Sequence, residues 1–157
     1  MTQSIKEQFD QQPLDSEIET LSNGGRFIPI NKQEIKLDTL HSWSTQNFHF
    51  HLFRMGYDTF SIAASIELVI EYWDPEIEDI IKRIFVGACN FPVKSIYPNP
   101  HFLATAKSEC IKNACTDIGA FFGRGLNENM TVPNPESSAE ADGGVTLLES
   151  FDEIKPE

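Results

Sequence analysis

The sequence predicts an α+β fold: an antiparallel three-stranded β-meander packed on a long C-terminal helix, with a short preceding helix and disordered acidic tails. Three observations predict it. The stretch TFSIAASIELVIEYW places an apolar residue at every second position from Phe60 to Tyr72, a period of two that belongs to a strand with one buried face. The strands on either side follow through GYD and DPEIED, connections far too short for a crossover, so the neighbours run antiparallel. The stretch AKSECIKNACTDIGAFFGRGLN, residues 106 to 127, reads as one helix poor in bulky side chains that runs into glycines. Such a helix lies very close to whatever it packs against.

Taken in order, residues 1 to 22 are polar and weakly patterned, with a short helix or none. Gly24-Gly25 then punctuates the chain and RFIPI follows as an extended piece. The spacing of Ile35, Leu40 and Trp43 predicts a helix over residues 32 to 42, with Asn31 as N-cap and Glu34 three residues on. NFHFHLFRM gives the first strand, with Phe48, Phe50 and Leu52 facing one way and His49, His51 and Phe53 the other. In the second, Phe60, Ile62, Ala64, Ile66, Leu68, Ile70 and Tyr72 form the buried row, opposite Ser61, Ala63, Ser65, Glu67 and Glu71. IIKRIFVGACNF gives the third. After Pro92, Pro98 and Pro100 the last helix spans about His101 to Phe122. Leu103, Cys110, Ala114, Ile118 and Phe121 form its buried stripe, Ala106, Ala114, Gly119 and Ala120 allow a close approach, and Gly123 and Gly125 form its stop. MTVPNPESSAEADGG has the composition of a disordered linker. In the final VTLLESFDEIKPE, Leu147, Leu148, Phe151 and Ile154 share one helical face, the pattern of a docking motif for a protein partner; plain disorder is the alternative. The organisation is therefore a polar N-terminal segment (1–23), a core (24–127) and an acidic tail (128–157).

The chain has 157 residues and a formal net charge of −12, which at face value opposes nucleic acid. The distribution weakens that objection. Residues 1 to 25 hold five acids and one base, and residues 127 to 157 hold eight acids and one base. Removing these from totals of 24 and 12 leaves 11 acids and 10 bases in the middle. A near-neutral middle permits a basic stripe. No apolar run reaches the roughly 18 residues of a membrane span. The polar start lacks a secretion signal, and three cysteines fit a reducing cytoplasm rather than a disulfide scaffold. Cys110 and Cys115 share a helix without metal-motif spacing and read as ordinary buried thiols.

The stretch AKSECIKNACTDIGAFFGRGLN resembles the end of the core of the Rad-fifty-two-like single-strand annealing proteins, including bacterial and phage members of the DdrA type. FIPINKQEIKLDTLHSW resembles that superfamily's first extended piece and helix, and KRIFVGACNF the strand that ends its sheet. The resemblance covers about residues 26 to 127. It implies a β-β-β-α core assembled into a homo-oligomeric ring. Single-stranded DNA runs round the ring in a basic groove, phosphates inward and bases free to pair, and no cofactor is consumed. Lys32, Lys107 and Arg124 fall where the family carries basic residues; Thr116, Asp117 and Ala120 stand where bacterial relatives commonly have others.

The residues themselves add Arg54, Lys82, Arg83 and Lys112, so the candidate DNA-binding set is Lys32, Arg54, Lys82, Arg83, Lys107, Lys112 and Arg124. Each is a cation able to neutralise a phosphate without reading sequence. Lys107 and Lys112 are five residues apart, about 140° round a helix, and Lys82 and Arg83 point to opposite faces of a strand. Arg54 sits beside the hairpin tip. Tyr57 and Phe60 are aromatics for base stacking or for packing. His49 and His51 share a strand face, one geometry for a metal pair, but no third ligand lies near in sequence, so they read as sheet-face histidines. No nucleophile elbow, phosphate-binding loop or HExxH motif is present, and Glu67 and Glu71 read as solvated carboxylates, so an enzyme is not expected. The expected function is single-stranded DNA binding and annealing in recombination or repair. The alternative, favoured by Asp117 and the acidic ends, is a protein-interaction module of the same fold that does not bind DNA. A third reading has the acidic ends compete with DNA for the groove.

Overall fold

A computed structural model describes residues 4–93 and 101–128. Its centre is an antiparallel sheet of β3 (Ser42–Arg54), β4 (Phe60–Asp74) and β5 (Asp79–Val93) in the order β3-β4-β5. Helix α3 (His101–Ile118) lies across one face, over β4 and β5 rather than over β3. Ahead of the sheet come α1 (Ile5–Phe9), a two-residue ladder of β1 (Glu19–Thr20) with β2 (Arg26–Phe27), and α2 (Ile30–Leu37). This is the α+β meander-and-helix arrangement expected from the sequence.

The alternation in β4 decides the layering. Ile62, Ile66, Leu68, Ile70 and Tyr72 are all at most 1% exposed and face α3, which meets them with Ala106, Cys110, Ala114 and Cys115. On the opposite, open face stand Ser61, Ala63, Ser65, Glu67, Val69, Glu71 and Trp73. Their β5 partners in register are Pro92, Asn90, Ala88, Val86, Ile84, Lys82 and Ile80. The small-residue helix has a specific seat. Gly87 pairs with Ile66, and a Cβ built on it falls 1.8 Å from the Cys110 carbonyl oxygen and 2.7 Å from the Ala114 nitrogen. The helix backbone therefore rests directly on the strand backbone, where any side chain at residue 87 would stand in its way.

Several local expectations change. Helix α2 runs Ile30–Leu37, not 32 to 42. Pro29 occupies its N-cap position and Asn31 lies inside the helix, because the proline's fixed φ starts the turn earlier. Ile35 is 65% exposed, while Leu37 and Leu40 carry the apolar contact. Trp43 belongs to β3, which begins at Ser42 by pairing with Glu71; the indole N–H donates to Asp38 Oδ1 at 2.8 Å. A bulge at Asn47, with φ of 53°, shifts the β3 register between Gln46 and His49. Helix α3 ends at Ile118 rather than near Phe122. Gly119 is fully extended and passes against Phe9, where an added Cβ would sit 2.3 Å from the Phe9 carbonyl oxygen. A 3-10 turn over Ala120–Phe122 follows, closed by Gly123 at φ 106°. Gly119 and Ala120 thus lie beyond the helix, and Leu103 and Phe121 are only half-buried.

Residues 4 to 23, part of the polar segment read as holding a short helix or none, are folded and include that short helix. Ser4 and Glu7 form a reciprocal capping box at the start of α1. Phe9 enters the core, its ring 5.3 Å from Tyr72 in an edge-on arrangement and 6.2 Å from Phe122. Lys6 meets Asp74 Oδ2 at 2.9 Å, and Asp74 is 2% exposed. At the other end, Asn127 exchanges two hydrogen bonds with the backbone of Arg26, 2.8 and 2.9 Å, joining the end of the core to β2. The tail motif of Leu147, Leu148, Phe151 and Ile154 lies outside the described residues.

Candidate nucleic-acid interface

The seven cations expected to meet phosphate do not share one surface. Lys82 projects from the open face of β5, opposite Glu71 in register, while Arg83 projects from the covered face, its guanidinium 5.9 Å from the Tyr72 ring. Lys107 is exposed on α3, with no hydrogen bond or ion pair among the described residues. Lys112, a turn and a half further on, pairs with Glu109 and lies 5.7 Å from the Phe27 ring.

The remaining three are held by backbone carbonyls. Lys32 Nζ donates to Ser16 O at 2.9 Å, tying α2 to the N-terminal segment. Arg54 Nε and Nη2 donate to Gly56 O and Tyr57 O at 3.1 and 3.0 Å and brace the β3-β4 hairpin. Arg124 Nε donates to Thr116 O at 3.3 Å, and its Nη2 donates to Asp117 O. These are last-turn carbonyls of α3, which have no partner further along the helix. A cation there suits both the hydrogen-bonding need and the negative end of the helix dipole. Lys32, Arg54 and Arg124 therefore have structural tasks that residue type alone did not disclose.

The two sides of the sheet differ electrostatically. On the open face, Glu67 accepts from Gln46 Nε2 and Asn47 Nδ2, both at 2.8 Å. These hydrogen bonds favour the charged form and hold the Glu67 carboxyl below its ordinary value. Ser42 Oγ donates to Glu71 at 2.7 Å on the same face. Fixed carboxylates beside Lys82 make this face unfavourable for a phosphate chain. The helix side carries Arg83, Lys107 and the half-buried Lys112, with Asp117 exposed near the end of α3.

Two further features lie outside the expected set. Lys36 is 3% exposed, meets Glu17 Oε2 at 2.9 Å and lies 3.5 Å from the centre of the Phe121 ring. Burial alone would raise the Glu17 carboxyl, but hydrogen bonds from Lys36 and the Leu14 N–H outweigh it and hold it low. The second is the covered-side row of β3. Since α3 does not extend over this strand, Phe50 and Leu52 remain 41% and 36% exposed, with the Phe48 ring 6.0 Å from Phe50. Among the described residues this row borders an unpaired sheet edge.

His49 and His51 lie on the open face, and among the described residues no group of three or more His, Cys, Asp or Glu is placed to hold a metal ion. No described helix is long and apolar enough to cross a membrane. No family model matches the chain, and no curated protein matches its sequence.

Proposed function

We propose that this chain is a self-assembling single-stranded DNA-binding protein that anneals complementary strands in recombination or repair, working in the cytoplasm without a cofactor or a catalytic step. The observation that carries the reading is the way residues 106 to 127 fold. The segment that resembles the Rad-fifty-two-like annealing proteins forms the latter part of the closing helix of a β-β-β-α core, seated on Gly87, and the turn that follows it. The half-exposed row of Phe50 and Leu52 beside an open strand edge supports self-association, since a neighbouring copy would cover both the apolar row and the unpaired backbone. In this reading Arg83 and Lys107 supply the phosphate contacts on the helix side. Each neutralised phosphate lowers the repulsion between two approaching strands while the base edges stay free. Lys32, Arg54 and Arg124 act by holding the framework.

A gel shift with the full chain and a labelled single-stranded oligonucleotide at low and high salt tests the proposal. A shift at low salt that fades at high salt supports it, as does its weakening in a chain carrying Arg83→Glu and Lys107→Glu. No shift at low salt with folded protein removes it. The second reading, an interaction module without DNA binding, is favoured by the engagement of three of the seven cations with backbone carbonyls. It predicts assembly without any shift.

A further inference from the structure

Cys89 lies on the covered face of β5, opposite Ala64 in register, and Cys110 lies in the middle of α3. Their sulfurs are 3.4 Å apart, Cys110 Sγ donating to Cys89 Sγ, while Cys89 Sγ donates to Ala106 O, also at 3.4 Å. The seat at Gly87, two residues from Cys89, causes this contact by holding the backbone of Cys110 against the strand. Cys89 is half-buried, Cys110 is 0% exposed, and Cys115, also 0% exposed, forms no hydrogen bond with either.

We propose that Cys89 and Cys110 form an oxidative modification site, at which a peroxide converts the two thiols into a disulfide that fastens α3 to β5. A disulfide needs sulfurs about 2.05 Å apart, so the pair closes by roughly 1.4 Å, within reach of side-chain rotation and a small helix shift. In the first step the Cys89 thiolate attacks hydrogen peroxide. An S–O bond forms, the O–O bond breaks, and the departing hydroxide takes up a proton to become water, leaving Cys89 as a sulfenic acid. Cys110 sulfur then attacks Cys89 sulfur. The S–S bond forms, the S–O bond breaks, and the second hydroxide leaves as water with the Cys110 proton. Two thiols and one peroxide thus give one disulfide and two waters, the two electrons passing to the peroxide. Burial pushes the Cys110 thiol up to about 12, which lowers its thiolate fraction and slows the second step. The bond closes a loop between residues 89 and 110 and restricts the unfolded chain, which raises the unfolding temperature of the oxidised form. The inference does not depend on DNA binding.

The test uses the full chain, purified under reductant, freed of it, exposed to hydrogen peroxide, then unfolded in denaturant, alkylated there with iodoacetamide and digested with trypsin without reduction. Cleavage separates the cysteines into peptides 84–94, 108–112 and 113–124. The expected result is a disulfide-linked pair of 84–94 with 108–112, alkylated Cys115 in 113–124, reversal by dithiothreitol, and a thermal midpoint several degrees above that of the reduced chain. Alkylated or sulfinic Cys89 beside alkylated Cys110 would overturn the proposal, as would a bridge that involves Cys115. Cys110→Ser supplies a second arm: the peroxide-induced rise in midpoint disappears, and its persistence would show that the rise has another source.

Discussion

Replacing Gly87 by alanine probes the contact on which the fold rests. The added methyl would stand 1.8 Å from the Cys110 carbonyl oxygen, 2.8 Å from its carbonyl carbon and 2.7 Å from the Ala114 nitrogen. All three obstructing atoms are helix backbone, so no side-chain rotation relieves them. Either α3 lifts from the sheet or β5 bends away. Lifting the helix opens the interface where Ala106, Cys110, Ala114 and Cys115, each 0% exposed, meet Ile62, Ile66 and Leu68. Overpacking of a tight core commonly costs about 1–3 kcal/mol, and rigid backbone places this site at the upper end. Removing a strand glycine returns about 0.5–1 kcal/mol through the unfolded chain, leaving a net loss of about 2 kcal/mol. For a urea slope of about 1–3 kcal/mol/M, the unfolding midpoint falls by about 1 M. Far-ultraviolet circular dichroism against urea measures it, with Ala88→Ser on the open face as a control expected within about 0.5 kcal/mol of the parent. An unchanged or raised midpoint for Gly87→Ala would refute the close seating of helix on strand.

Other outcomes follow from the same geometry. Lys36→Met keeps the volume but leaves the Glu17 carboxylate without its partner. The expected loss is about 1–3 kcal/mol in urea unfolding, less than for a fully buried pair because the Glu17 side chain is 26% exposed, and Glu17→Gln added to it recovers part of the loss. Arg124→Ala removes the donor from the last carbonyls of α3 and lowers stability by about 0.5–1 kcal/mol, while oligonucleotide affinity of the folded chain changes little; a large drop in affinity would return Arg124 to the phosphate contacts. Asp74 and Glu17 have carboxyls held below their ordinary values of 3.8 and 4.5, Asp74 chiefly by its hydrogen bond from Lys6. Their contribution is complete above those values and is lost as the pH falls through the lower folded-state values, so Asp74→Asn should flatten the acid limb of a stability-against-pH curve and leave its shape at neutral pH unchanged. Phe50→Glu with Leu52→Glu should reduce the molar mass measured by light scattering toward that of a single chain; a mass equal to the parent's would place the interface elsewhere.

The sheet was legible in the sequence because its signal is local and periodic. The β4 alternation assigns the row from Phe60 to Tyr72, and Ser61, Ala63, Ser65, Glu67 and Glu71 opposite it, to their observed faces, and the short connections fix the antiparallel order; Val69, apolar on the open face, breaks the pattern. What escaped was set by distant partners. The bulge at Asn47 interrupts a pattern that alternation alone reads as regular on both sides. The end of α3 depends on Phe9, more than a hundred residues earlier, pressing on Gly119. Phe9 itself sits in a polar stretch with no period to announce its burial. The cations were the hardest to read. Lys36 looks like a helix-surface lysine until Glu17 and Phe121 close over it, and Arg124 looks free until the helix ends within its reach. Cys89, on a strand, has no sequence relation to Cys110; only the close helix–strand approach makes them neighbours.

The central claim concerns strand pairing, and the rate at which two complementary oligonucleotides anneal tests it most directly. Followed by fluorescence quenching with the full-length chain at low salt, the account predicts pairing several-fold faster than without protein, an effect that shrinks as salt rises and is weakened by Arg83→Glu with Lys107→Glu. An annealing rate equal to that of the DNA alone, with the protein folded and assembled, would contradict it.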